Sequence, residues 1–178
     1  MQMTDWIKAS NPTAPIITEV EAITAARASA IAIFLGVLWG VVGIVYLMTA
    51  GQALIDAAVA EATAQSPEVA GMAGMMTQGL LGLSIGLIVI QLIIGLVQWF
   101  KPNIVIPIIF TILVAFSLVT GLMAALGGGG QPETVAAVAN PAWLTWGGLA
   151  FLVVELILHI AGIRGARMLD KLRMAAAG

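Results

Sequence analysis

The sequence predicts an all-α fold: a bundle of four transmembrane helices with the N and C termini both cytoplasmic. Three observations predict it. Hydrophobic residues fill 61% of the 178 positions and charged residues only 9%, whereas about a quarter of a soluble domain is charged. Four apolar stretches, residues 28–50, 77–100, 104–126 and 142–163, are each long enough as helix to cross a hydrocarbon core about 30 Å thick. All seven Lys and Arg then fall on one side of the chain: Lys8, Arg27, Lys101, Arg164, Arg167, Lys171 and Arg173. Basic residues stay on the cytoplasmic side of a membrane, so both termini and the turn at Lys101 are predicted there. Asp56, Glu61, Glu68 and Glu133 fall on the opposite side.

The spans consume roughly half of the chain and leave no room for a separate soluble domain. Residues 1–24 read as a cytoplasmic or interfacial arm, 25–164 as the transmembrane domain and 165–178 as a basic cytoplasmic tail. The first span does not resemble a signal peptide, because it is too long for an h-region and follows Asp5, Glu19 and Glu21. There is no cysteine, which excludes disulfides, thiolate metal sites, iron–sulfur clusters and thiol nucleophiles.

Each element has a local signal. Thr18, Glu19 and Glu21 form a helix start leading into the first span, and Trp6 in the arm is a candidate interfacial anchor. Residues 51–64 keep a helical apolar face, and Ser66-Pro67-Glu68 supplies a cap, a first-turn proline and an acid near the positive helix end. The first two helices are therefore predicted to extend beyond the outer membrane surface. Lys101-Pro102-Asn103 is a tight link, predicting that the second and third spans are antiparallel neighbours. Asn140-Pro141 caps the fourth span. Trp143 and Trp146 mark its outer interface, and Trp99 the inner interface of the second span. Gln65-Ser66-Pro67-Glu68-Val69-Ala70 resembles Gln131-Pro132-Glu133-Thr134-Val135-Ala136, a repeat that fits two parallel helical hairpins.

Glu155 and His159 are the only Asp, Glu or His within the four spans. Hydrocarbon rejects ionisable groups, so such residues face protein or water. Their spacing of four places them on one face of the fourth helix, with Gly148 and Gly162. The second span carries a matching stripe that includes Gln91, Gly95 and Gln98. At 1.5 Å of rise per residue, Gln91 and Glu155 lie about 20 Å below the outer ends of their helices, and Thr111 rises from the inner side to the same layer. Glu155, His159, Gln91, Gln98 and Thr111 are thus the candidate polar cluster. Gly36, Gly40 and Gly43, with Gly95, Gly148 and Gly162, are candidate packing positions, since small residues let membrane helices approach closely.

Several chemistries are weakly supported. One histidine cannot give bis-His ligation, and Glu-x3-His is not the spacing of di-iron bundles. Met72, Met75 and Met76 suit packing better than soft-metal binding. The glycine run at 127–130 lacks a strand and a Walker lysine. No metal, cofactor or nucleic-acid partner is expected, and no catalysis. The expected partners are membrane lipids and either other membrane subunits or copies of this chain. The expectation is a non-catalytic accessory or scaffolding subunit of a larger complex in a bacterial cytoplasmic (inner) membrane. The alternative is an oligomeric transporter of protons, ions or small solutes that uses Glu155 and His159.

Overall fold

Among the described residues the fold is carried by helices α1 (Met3–Ser10), α2 (Glu19–Met48), α3 (Pro67–Phe100), α4 (Val105–Ala125) and α5 (Ala142–Ala177). The computed structural model describes residues 3–49, 51–53, 56, 59–60, 64, 67–127 and 141–178. Helices α2 to α5 are each long and apolar enough to cross a membrane, and no strand occurs among the described residues. The second copy of the Gln-Pro-Glu repeat, at 131–136, lies outside the described residues, as do Glu61 and Gln65.

Local chemistry sets the helix ends. The Thr18 side chain accepts from the Glu21 amide, while the Glu21 carboxylate accepts from the Thr18 amide, forming a capping box at the start of α2. Asn103 performs the same task for α4, its Oδ1 accepting from the amides of Val105 and Ile106. Pro107 sits on the third residue of α4, where a missing amide costs nothing. The Pro141 carbonyl accepts from Leu144 and Thr145 at the start of α5. Helix α5 then continues without a break to Ala177, so the basic segment 165–178 is an extension of the last span. At about 54 Å it is far longer than the hydrocarbon core.

The central pair is α2 against α5, antiparallel. Along it Ala26 meets Gly165, Ser29 meets Gly162, Gly36 meets Glu155 and Trp39 meets Gly147 and Gly148. The contact is close because both surfaces are nearly devoid of side chain. A Cβ on Gly162 would stand 2.6 Å from that of Ser29, and one on Gly165 would strike the Ala26 backbone. Ala22, Ala25, Ala26, Ala28, Ala30 and Ala32 are fully enclosed.

Helix α3 docks on α2, and α4 docks on α5. Gly95 takes the Phe34 ring, and Gly40 takes Ile88. Gly121 receives Leu149. The expectation that the Lys101-Pro102-Asn103 link makes α3 and α4 packed neighbours is not met, since the two do not pack along their lengths. Gly95 of α3 faces α2 and Gly121 of α4 faces α5, and the link itself is tied to α2. Gln98, fully buried on α3, donates to the Ala26 carbonyl and the Asn103 carbonyl and accepts from the Asn103 amide.

Helix α1 and residues 11–18 fold back over the end where α2 begins and α5 finishes. Lys8 pairs with Glu21, Arg173 pairs with Glu19 at 3.2 Å, and Arg164 donates to the Asn11 carbonyl at 3.1 Å. The α3–α4 link lies at this same end through Gln98 and Ala26, so all seven basic residues gather there.

Candidate functional site

Helix α5 presents Glu155 and His159 to α2 from successive turns. Their two environments differ. The Glu155 carboxylate is 6% exposed and lies over Gly36. A Cβ at position 36 would stand 3.2 Å from Oε1, 3.4 Å from Oε2 and 3.5 Å from Gln91 Nε2. The absent side chain of Gly36 is therefore the space in which the α3 carboxamide and the α5 carboxylate approach each other. Among the described residues no cation and no hydrogen-bond donor is bonded to Glu155.

His159 is fully enclosed. Its Nδ1 lies 2.8 Å from Ser29 Oγ, and the Phe110 ring of α4 covers it with centroids 5.5 Å apart. The Ser29 bond fixes the imidazole whichever of the two groups supplies the proton. Nε2 is buried with no hydrogen-bond partner. A buried polar atom left unpaired costs about 1–3 kcal/mol, and this nitrogen is such an atom among the described residues.

A hydroxyl on an imidazole is also the first half of a nucleophile–base pair. Here both groups are sealed inside the bundle, and no carboxylate bonds the second ring nitrogen. A substrate carbonyl has no approach to Ser29 in this conformation.

The remaining predicted residues distribute as follows. Gln98 belongs to the α3–α4 link, bonding backbone as described above. The Thr111 hydroxyl donates to the Pro107 carbonyl on its own helix at 2.6 Å. Gly36, Gly40, Gly95, Gly148 and Gly162 each face a neighbouring helix closely, whereas nothing lies within 4 Å of a Cβ built on Gly43. Met75 is exposed, and the side chains of Met72 and Met76 lie outside the described set. No group of three or more His, Asp or Glu side chains is placed to hold a metal among the described residues.

The aromatic anchors form two clusters, one at each end. Trp6 stacks on Trp99 at 5.7 Å and 9°, and the Arg27 guanidinium lies over the Trp99 ring, 5.2 Å from its centroid, with Nε donating to the Trp99 carbonyl. At the far end Trp143 makes edge contacts with Trp39 and Tyr46, while Trp39 stacks on Phe151. Trp146 is exposed.

Sequence reasoning passed over Ser29, Gly147 and Gly165. Ser29 could have been found, because 29, 33, 36 and 40 form one stripe at steps of three and four on α2. Gly165 lies beyond the predicted end of the last span at residue 163. Comparison of the chain with family models, with curated proteins and with solved structures finds no match.

Proposed function

We propose that the chain is a non-catalytic accessory or scaffolding subunit of a larger assembly in a bacterial cytoplasmic membrane, with both termini on the cytoplasmic side. The observation that carries this reading is the outer half of α3. From Gly82 to Leu87 every residue is exposed, and nothing lies within 4 Å of a Cβ built on Gly79, Gly82 or Gly86. Small-residue rows are the usual docking surface between membrane helices. Among the described residues, Gly36, Gly40, Gly95, Gly148 and Gly162 are occupied by the subunit's own helices, and this row is not.

The polar groups support the same reading. Gln98 and the Ser29–His159 pair are used as ties between helices, and Glu155 faces Gly36 and Gln91 inside the subunit. The orientation rests on the collection of all seven basic residues at one end.

Purification from membranes in mild detergent tests the proposal. Stoichiometric co-purification of other polypeptides, lost on Gly82→Leu with Gly86→Leu, is the expected result. A homogeneous monomer or self-oligomer overturns it.

One observation favours a second reading, a proton or ion path in an oligomer. Glu155 and the bare Nε2 of His159 are buried ionisable groups one turn apart, and such groups in membrane helices commonly mark relays. Glu155→Gln separates the two: loss of flux in reconstituted vesicles with the assembly intact supports the path, while weakened assembly without a flux change supports the subunit.

A further inference from the structure

We propose that the groove between α1 and α5 binds one anionic phospholipid, its acyl chain lying on Trp6, Ile7 and Ile157 and its phosphate meeting Arg164. The groove has a volume of about 610 Å³ and is lined by Trp6, Ile7, Ser10, Asn11, Pro12 and Ile157. Its floor is apolar and open to the surroundings, with Ile7 69% and Ile157 43% exposed. Ser10 and Asn11 make one end polar.

Arg164 completes that polar end. Its Nη1 donates to the Asn11 carbonyl, which fixes the guanidinium beside the groove. No carboxylate pairs with Arg164 among the described residues. A guanidinium has five N–H donors in a planar fork suited to phosphate oxygens, so most of its capacity remains. Ile157 and Arg164 are seven residues apart on α5, about 10 Å along the axis. The groove therefore has the pattern of an amphiphile, an apolar strip ending in a cation.

Charge favours the same occupant. In the sequence, the seven basic residues of this end are set against four acidic ones, Asp5, Glu19, Glu21 and Asp170, and an anionic leaflet attracts such a surface. A transmembrane helix of a partner is a poor fit, since α1 has only eight residues and walls the groove for about 12 Å. The inference does not depend on the subunit reading and requires only that α5 lie in a membrane.

The test is reconstitution into bilayers of equal parts phosphatidylglycerol and phosphatidylcholine, extraction in mild detergent and native mass spectrometry of the retained lipid. One phosphatidylglycerol per chain is expected, retained several-fold over phosphatidylcholine. Arg164→Gln abolishes that preference, and Ile157→Trp, which fills the groove, removes the retained lipid of either kind. Lys171→Gln makes the same charge change away from the groove and keeps the preference. Circular dichroism checks that each variant is folded, and if Arg164→Gln is not, Ile157→Trp decides alone. Equal retention of both lipids by the parent protein, an effect of Lys171→Gln as large as that of Arg164→Gln, undiminished retention in Ile157→Trp, or a polypeptide in place of the lipid overturns the proposal.

Discussion

The Glu155 carboxylate lies over Gly36 so closely that a Cβ at position 36 would meet Oε1 at 3.2 Å. Two turns along α2, Gly43 has nothing within 4 Å. The same substitution at the two positions should therefore give opposite results. Gly36→Leu is expected to destabilise the bundle by about 1–3 kcal/mol, the usual cost of overpacking. Gly43→Leu should be near neutral. Denaturant titration in detergent reads both, and equal effects would show that Gly36 is not a packing position.

Gln98 holds the α3–α4 link to α2 through three hydrogen bonds. Gln98→Leu keeps the volume and leaves the Asn103 amide and carbonyl without the partner that Gln98 supplies. A loss of about 2 kcal/mol is expected on the same titration. An unchanged midpoint would mean that water replaces the carboxamide.

Ser29→Ala removes the partner of His159 Nδ1 and leaves both ring nitrogens unbonded, at a cost of about 1–3 kcal/mol. Replacing both partners by apolar groups of similar shape is far less costly. The double variant Ser29→Ala with His159→Phe should thus be more stable than Ser29→Ala alone. The reverse order would rule out the Ser29 bond as the tie that this arrangement describes.

Acid should release the α1 strap. Glu21 lies seven residues before the first apolar span, about 10 Å outside it. The Lys8 ammonium, and then the amides of Ile17 and Thr18, hold its carboxyl below the ordinary 4.5, at about 2. A depressed carboxyl contributes stability that is present above its ordinary value and is lost as pH falls through the folded one. Docking of α1 should therefore weaken between pH 4.5 and about 2, read as a change in indole emission when Trp6 leaves Trp99. Lys8→Ala should move that transition to higher pH. A profile identical to that of the parent would remove Lys8 as the cause.

Four long apolar helices were legible because hydrocarbon thickness and apolar composition leave few alternatives. The Thr18 to Glu21 capping box was legible because it is written in four adjacent residues. The lateral order of the helices was not. A tight link at Lys101 makes α3 and α4 antiparallel but does not make them touch. Contact is decided by where the closely packed glycines face, and Gly95 of α3 takes Phe34 of α2 while Gly121 of α4 takes Leu149 of α5. Depth was readable from helix rise, which placed Gln91 and Glu155 in one layer, and Gly36 stood in the predicted small-residue row. Which groups bond which was not readable, since Thr111 turns to Pro107 on its own helix and His159 to Ser29.

Ser29 and His159 are 130 residues apart in sequence, and the alanine surface of α2 has its main partner in α5, made long after it. During synthesis α2 enters the bilayer with that surface uncovered and must wait for α5 to arrive. Domain-by-domain folding from the N-terminus, the general habit of growing chains, is closed to this one. Its central contact is a late, long-range closure. A ribosome stalled before α5 would leave the three apolar helices α2, α3 and α4 without the partner that encloses α2.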